Sequence, residues 1–242
     1  MLQTQTIKKE TFGLLKTLMR DEELIHFSLV GGTALALYMG HRKSVDIDLF
    51  SQQLFNVSEL EKHFIDNYGF QTTRTANATL IGKIYSIKVD CVGYNYPLVE
   101  PVFEYDGIRI FSMPDIAAMK LTAISQSGNR LKDFVDVAFM SSMMSLENML
   151  KAFEKKYPKT SVMTAVRGIT YYDDIDFTAE IDLMEGTFKW KTVEKRLKGH
   201  QSRRADAGNV RVARTPCDRF VSRIVGAYRT VELLCRACRQ CN

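Results

Sequence analysis

The stretch Leu29-Val30-Gly31-Gly32-Thr33, followed after Gly32 by thirteen residues and then by Asp46-Ile47-Asp48, carries the most specific pattern in this 242-residue chain. The apolar run that ends at the glycines is typical of a short buried strand. Residues 33–39 have the spacing of a helix and stop at a glycine, the residue type most common just after a helix. Residues 45–50 alternate apolar and polar with the period of two that a half-buried strand shows. The segment therefore predicts a strand, a glycine turn, a helix and a second strand.

The two carboxylates on the second strand indicate a site for a metal ion beside a phosphate. Alternate residues of a strand share a face, so Asp46 and Asp48 are expected to project together while Val45, Ile47 and Leu49 face the core. Such a pair can converge on a hard cation such as Mg²⁺ or Mn²⁺. The glycines let backbone N–H groups approach an anion, and the following helix N-terminus favours negative charge.

Each part of this pattern has an ordinary structural explanation when it occurs alone. A single Asp-x-Asp is typical of a solvated strand face, and a single Gly-Gly of a tight turn. Their occurrence in the order strand, glycine turn, helix, strand favours phosphoryl or nucleotidyl transfer from a nucleoside triphosphate.

The remaining chain predicts a mixed half, about residues 1–112, followed by a helical half, about residues 113–199. The first half adds helices at 7–19 and 58–68 (the latter opened by a capping box at Ser58), strands within 79–92, and a hairpin turning at Asp106-Gly107. The second half has helical patterns at 115–124, 131–143, 146–153, 160–171 and 187–197. The expected fold class is α+β, a mixed sheet with flanking helices followed by a helical C-terminal half.

Five segments in this order resemble the AbiEii/AbiGii family of nucleotidyltransferase toxins, a branch of the DNA-polymerase-β-like nucleotidyltransferase superfamily. They are VGGTALAL (30–37), HRKSVDIDLF (41–50), IKVD (87–90), DIAAMKL (115–121) and LKDFVD (131–136). The resemblance covers about residues 10–197. It implies that residues 1–112 are a nucleotidyltransferase catalytic core and that residues 113–199 are a helical domain completing the active cleft.

The resemblance also implies roles for individual residues. The glycine motif, Gly31, Gly32 and Thr33, would bind the triphosphate, and Asp46 and Asp48 would be the catalytic metal-binding pair. Asp90 occupies the position of a third carboxylate, which would complete the metal site or accept a proton from the attacking hydroxyl. An alternative for Asp90 is an ordinary residue on the polar face of a strand.

Lys120 lies in an apolar helical run, where an unpaired buried ammonium is costly. It either extends outward to solvent or, as the resemblance implies, contacts the nucleotide phosphates in a catalytic role. Asp133 and Asp136 share a helix face, and Lys132 is placed to form a surface ion pair with Asp136. The resemblance instead implies that this segment lines the cleft, with Lys132 and Asp133 binding nucleotide and Asp136 acting in catalysis.

Arg42 and Lys43 are expected to flank the mouth of the cleft. There they would meet phosphate or a nucleic-acid acceptor, or they are solvated loop charges.

The positive charge of the chain is concentrated at its C-terminus. The formal net charge is +5, but residues 1–199 contain 24 basic and 25 acidic residues, whereas residues 200–242 contain nine arginines and three acidic residues. The net positive charge is therefore no argument for RNA binding by residues 1–199, which we call the body of the chain. The arginine-rich and cysteine-rich tail is interpreted as a disordered or foreign C-terminus, and its cysteines (Cys217, Cys235, Cys238 and Cys241) do not have the paired spacing of a zinc site.

These observations predict a Mg²⁺-dependent enzyme that transfers a nucleoside monophosphate from a nucleoside triphosphate to an acceptor hydroxyl. By resemblance it would be the toxin of a type IV toxin–antitoxin or abortive-infection pair, with RNA such as tRNA as acceptor and an antitoxin encoded nearby. The alternatives are transfer to a small molecule of the aminoglycoside kind, a nucleotide-binding regulator without turnover, and RNA binding by the tail. No apolar run is long enough to span a membrane, and the polar N-terminus favours the cytoplasm.

Overall fold

The computed structural model describes residues 2–206, with side chains described as far as Lys198. The chain divides into two compact units, residues 1–197 and residues 198–242, and the fold presented below is that of the first. The four cysteines of the tail and seven of its nine arginines lie outside the described residues. Within the described part, no helix is long and apolar enough to cross a membrane.

Seven strands and eight α-helices form in the described part of the chain. The strands are β1 (Phe27–Leu29), β2 (Ile47–Ser51), β3 (Gln71–Ala76), β4 (Thr79–Ile84), β5 (Ile87–Gly93), β6 (Phe103–Tyr105) and β7 (Ile108–Ile110). The helices are α1 (Lys9–Met19), α2 (Gly31–Met39), α3 (Val57–Tyr68), α4 (Met113–Ser127), α5 (Leu131–Met140), α6 (Leu146–Lys156), α7 (Val162–Thr170) and α8 (Trp190–Asp206).

All seven strands belong to one mixed sheet with the order β3-β4-β5-β2-β1-β7-β6. The middle strand, β2, is antiparallel to β1 and parallel to β5. Its alternate residues Ile47 and Leu49 are buried, while Asp48 between them is partly exposed. The α+β prediction is confirmed, because a mixed sheet with flanking helices is followed by a helical stretch from α4 onward.

Two predicted boundaries at the centre of the sheet are wrong by a small margin. The helix after the glycine turn begins at Gly31 rather than at Thr33. Val45 does not face the core, since it precedes β2 and is 52% exposed. Asp46 likewise lies one residue before the strand, so only Asp48 of the pair is held by the sheet itself.

Among the other local predictions, one turn is confirmed, one helix cap is wrong and one strand has no counterpart in the sequence pattern. The Asp106-Gly107 turn is confirmed, since both residues have positive φ (53° and 73°) and join β6 to β7, as a two-residue hairpin turn requires. The capping box at Ser58 is wrong, because Asn56 caps α3 by accepting from the backbone N–H groups of Ser58 and Glu59. Strand β3 was not predicted, because the sequence QTTRTA is exposed throughout and has no apolar period.

A buried ion pair joins the helical stretch to the loop between β5 and β6. The side chains of Asp115 on α4 and Lys156 on α6 are fully buried, with Lys156 Nζ 2.7 Å from Asp115 Oδ1. Asp115 also accepts from Ser112 Oγ and from the backbone N–H groups of Val99 and Glu100. The pair therefore fixes the position of this loop relative to α4.

Removing the ammonium of this pair should destabilise the fold. In Lys156→Met, Asp115 keeps its hydrogen bonds but is a buried carboxylate without a counter-charge, so we expect a loss of about 3–5 kcal/mol in the free energy of unfolding. Urea denaturation at neutral pH measures this loss. Lys151→Met on the same helix is the matched control, because the Lys151–Glu147 pair is half-exposed and should contribute less than about 1 kcal/mol. Equal effects of the two substitutions would contradict this account.

Candidate active site

The glycine turn allows an acid and a guanidinium to pack against the start of α2. Gly31 has a φ of +71°, which glycine adopts without strain. A Cβ atom at Gly31 would overlap Asp48 Oδ2, and a Cβ atom at Gly32 would overlap Arg42 Nη2. Both positions therefore require glycine for packing within the protein itself, whether or not an anion also binds there.

Thr33 connects this turn to the segment that carries the first carboxylate. Its side chain is buried, and its hydroxyl donates to the backbone carbonyl of Asp46 and lies 2.9 Å from the Ser44 hydroxyl. The structure thus places Thr33 behind the glycine turn, where it holds Asp46 in position.

Asp48 and Asp90 lie side by side on neighbouring strands. They are register partners in the parallel pair of β2 and β5. Burial raises the pKa of Asp48 to about 6, and the negative charge of Asp90 adds to this increase while Lys88 and Lys120 oppose it. Two carboxylates held together in this way favour binding of a cation, because a cation relieves both their repulsion and their desolvation.

The two oxygens of Asp90 differ in their contacts. Lys88, two residues earlier on β5, donates from Nζ to Asp90 Oδ2 at 2.5 Å. Asp90 Oδ1 is buried and has no hydrogen-bond partner among the described residues. A buried oxygen of this kind normally has a partner, so Asp90 retains a free position for a ligand.

The donors present suit a divalent cation. Carboxylate oxygens are the preferred ligands of Mg²⁺ and Mn²⁺, and Asp90 offers one that is unsatisfied. No three metal-ligating side chains of the described residues are already gathered into a cluster. The residues therefore fit a cation that would assemble its carboxylate ligands on binding.

Asp136 on α5 joins three positively charged or hydrogen-bonding side chains from other elements. It is fully buried and accepts from Arg42 Nε at 2.7 Å and Arg42 Nη2 at 2.9 Å. His41 Nε2 lies 2.8 Å from the same carboxylate, and Lys120 Nζ lies 2.8 Å from its Oδ2. Burial by itself would raise the pKa of Asp136, but Lys120 and Arg42 hold it well below its usual range.

Lys120 is neither free nor extended to solvent. Its side chain is 9% exposed, and Nζ bridges Asp133 Oδ1 at 2.6 Å and Asp136 Oδ2 at 2.8 Å. The predicted surface pair of Lys132 with Asp136 does not form, because Asp136 is buried against Arg42 and Lys120 instead. Lys132 is exposed.

A cavity of about 800 Å³ collects most of the predicted residues. Eight of the ten predicted site residues line it, namely Gly31, Gly32, Asp46, Asp48, Asp90, Lys120, Lys132 and Asp133. The other two, Thr33 and Asp136, lie behind its wall. Four predicted carboxylates, a helix N-terminus and several cations therefore share one cleft, which is the arrangement that nucleotidyl transfer needs.

A family model described as "Nucleotidyl transferase AbiEii toxin, Type IV TA system" matches residues 13–207. The chain belongs to the AbiEii family. It is accordingly a nucleotidyltransferase, and the AbiEii match includes the glycine turn, the carboxylates and both helices that carry Lys120 and Asp136.

One protein is similar to this AbiEii chain in sequence and another is similar in structure. An uncharacterised protein, aq_aa25, of Aquifex aeolicus (strain VF5) is 34% identical over 154 residues, which are 61% of this chain and 74% of the relative. The nucleotidyltransferase toxin MenT4 of Mycobacterium tuberculosis H37Rv has a similar structure, with a TM-score of 0.50 at 14% identity over 80% of this chain and 84% of that one. The second likeness is one of fold alone.

Sequence reasoning underestimated two residues of the AbiEii site. Arg42 was expected at the cleft mouth or in solvent, yet it is 4% exposed and forms a bidentate pair with Asp136. His41 was not singled out for this site, although it is also buried against Asp136. Both lie in the loop between α2 and β2 that also contains Asp46, but their partner is 94 or 95 residues away, so no local signal could identify the pairing.

Neutralising Asp136 should destabilise the protein and reduce its sensitivity to acid. Asp136→Asn leaves two buried cations without their shared carboxylate, so we expect a loss of about 3–5 kcal/mol in urea denaturation at pH 7. Because the pKa of Asp136 is lowered in the folded state, its contribution is complete above the unfolded value of about 4 and is lost as the pH falls below it. The variant should therefore lose less stability than the wild type between pH 5 and pH 3.

Asp66→Asn is the control for this comparison, since Asp66 is exposed on α3 and its substitution should change stability by less than about 0.5 kcal/mol. An Asp136→Asn protein as stable as this control would show that the buried network contributes little.

Proposed function

We propose that this chain is a Mg²⁺- or Mn²⁺-dependent enzyme that transfers a nucleoside monophosphate from a nucleoside triphosphate to an acceptor hydroxyl, with Asp46, Asp48 and Asp90 holding the metal. The observation that carries the proposal is the Asp48–Asp90 pair. It combines a pKa raised to about 6 at Asp48 with an unsatisfied buried oxygen at Asp90, in a cleft that also contains cations. When bound, a divalent cation would polarise the α-phosphate and neutralise charge on the triphosphate.

The chain's own residues would orient the triphosphate. The N-terminus of α2 at Gly31 and Gly32 directs backbone N–H groups and a positive dipole end into the cleft. Lys120 is held by Asp133 and Asp136 at the cleft wall, and the exposed Lys132 lines the same wall. We assign phosphate contacts to these lysines. Asp133 would act by positioning Lys120 rather than by touching the nucleotide.

We assign indirect roles to the two residues behind the wall. Asp136 would position Arg42 and Lys120. Thr33 would position Asp46 through the hydrogen bond from its hydroxyl to the backbone carbonyl of Asp46. Preorganised charges of this kind favour the transition state because they need no reorganisation during the reaction.

In the transfer step, the acceptor oxygen would form a bond to the α-phosphorus while the bond from that phosphorus to the bridging oxygen breaks. Pyrophosphate would leave with the electron pair. The hydroxyl proton would pass to solvent, because the metal would take Asp90 Oδ1 and Lys88 holds Asp90 Oδ2.

We further propose that the enzyme is the toxin of a type IV toxin–antitoxin pair in the cytoplasm, with an antitoxin as partner and an RNA such as tRNA as acceptor. Support comes from the description of the AbiEii family and from the likeness in fold to a nucleotidyltransferase toxin.

A small polycationic acceptor of the aminoglycoside kind is the second candidate. Glu180 and Asp182 line the cavity, and Asp182 lies 3.1 Å from Lys43 at its rim. Acidic groups at this position favour a cationic acceptor over a polyanion, and the body of the chain carries no excess of basic residues.

Incubation of the full chain with each labelled nucleoside triphosphate, Mg²⁺ and either total RNA or aminoglycosides tests both candidates. Label should enter one acceptor, and Asp46→Ala combined with Asp48→Ala should lower the rate at least about a thousandfold, which corresponds to about 4 kcal/mol. Asp173→Ala, in an exposed loop outside the cleft lining, should keep the wild-type rate. Incorporation that survives the double substitution would contradict the proposed function, and nucleotide binding without any product would indicate a regulator.

A further inference from the structure

The floor of the cavity continues beyond the carboxylates as an apolar and aromatic surface. Two residues after the Asp48–Asp90 register pair, β2 and β5 carry the pair Phe50 and Val92. Alternate residues share a face, and two residues advance the strand by about 6–7 Å, so this second pair is the next on the same side. Phe50 and Val92 both line the cavity.

Tyr94 extends this surface by a further two residues and is held firmly. Its ring lies 5.1 Å from that of Phe50, its hydroxyl is hydrogen-bonded to that of Tyr157, and Lys156 Nζ lies 5.6 Å from the ring centre. Because Lys156 is itself fixed by the buried pair with Asp115, Tyr94 is oriented before any ligand binds. Rigid aromatic rings of this kind bind planar ligands at a small cost in conformational entropy.

Helix α4 contributes residues of a different kind to the same cavity. Ile116, Met119 and Gln126 all line it, at a spacing that places them along one stripe of the helix. Ile116 is fully buried and lies behind this surface, Met119 is apolar and partly exposed, and Gln126 is exposed and has an amide that can both donate and accept hydrogen bonds. This combination of apolar surface and one amide suits a heterocyclic ring with polar edges.

Charged groups are concentrated at the opposite end of β2. Arg42 and Lys43 lie in the loop before that strand, which begins at Ile47, and Asp182 is joined to this loop by the backbone hydrogen bond from Lys43. The cavity is therefore divided along the strand direction, with ionic groups before the carboxylates and aromatic groups after them. A ligand with a charged part and an aromatic part would have only one orientation that satisfies both ends.

We propose that the surface formed by Phe50, Val92 and Tyr94, together with Gln126 on α4, is a nucleobase subsite. The base stacks on the aromatic rings, and the Gln126 amide hydrogen-bonds its edge and so discriminates among bases. The inference rests on the proposed function, since phosphate at the carboxylates is what brings a base to this surface. The base belongs either to the incoming nucleoside triphosphate or to the end of a nucleic-acid acceptor.

Calorimetry on the full chain in Mg²⁺ separates these sources and tests the subsite. The probes are the four nucleoside triphosphates, inorganic triphosphate, which lacks a base, and a short single-stranded oligoribonucleotide. Tyr94→Leu removes the stacking ring, and we expect the affinity for the base-containing probe to fall about tenfold, within the range that loss of one stacked base produces. Binding of inorganic triphosphate should not change.

Two further variants distinguish loss of the subsite from a general disturbance of the fold. Tyr96→Leu is the matched control, because Tyr96 packs on Tyr94 but does not line the cavity and should leave every affinity unchanged. Gln126→Leu alters an exposed side chain that the fold does not need. It should reduce the difference between the best-bound and worst-bound nucleoside triphosphates by about threefold to tenfold.

The outcomes decide among the alternatives. Weaker binding of nucleoside triphosphates by Tyr94→Leu assigns the subsite to the incoming nucleotide, and weaker binding of the oligoribonucleotide alone assigns it to the acceptor. Wild-type affinities for both probes in Tyr94→Leu and Gln126→Leu would overturn the subsite even if incorporation of label is robust. If the wild type neither binds inorganic triphosphate nor incorporates label, the proposed function fails, whereas ring-dependent binding of a probe would still establish the subsite.

Discussion

The carboxylate of Asp136 is the group on which the rest of the cleft depends. It is fully buried and shared by Arg42 and Lys120, which come from the segment before β2 and from α4. Desolvating three charges is unfavourable unless each is paired at close range, so these elements cannot separate without exposing or orphaning a charge. The network therefore joins the sheet, with its carboxylates, to the helices that supply the cations. Stability and the geometry of the cleft have the same physical origin.

The glycine turn follows from this network. Arg42 reaches Asp136 by passing over Gly32, and Asp48 lies directly against Gly31. A side chain at Gly32 would displace Arg42 from Asp136, and a side chain at Gly31 would displace Asp48. Gly31 and Gly32 are usually explained by the need for a phosphate to approach the backbone. In this protein the packing of Asp48 and Arg42 is a second reason for glycine at the same two positions.

The paired carboxylates represent the opposite case, in which the negative charge is only partly compensated. Burial and the neighbouring Asp90 raise the pKa of Asp48, and Lys88 satisfies only one oxygen of Asp90. The contrast with Asp136, whose oxygens are all engaged, separates a group that holds the structure together from groups that remain available to a ligand. Residues of one type, within one cleft, therefore have different roles because their partners differ.

Local periodicity and short motifs predicted the order of elements around the glycine turn and the fold class. Together with the resemblance to the AbiEii/AbiGii family they named ten site residues, of which eight line the cavity. The sequence also identified Lys120 as a residue that needs a partner. Three features became apparent from the folded chain alone. Asp136, a partner of Lys120, is shared with Arg42; Thr33 and Asp136 lie behind the cavity wall; and Phe50 and Tyr94 extend the cavity surface beyond the carboxylates. These features arise from strand register and from ion pairs between residues more than ninety positions apart, which the sequence pattern near each residue does not encode.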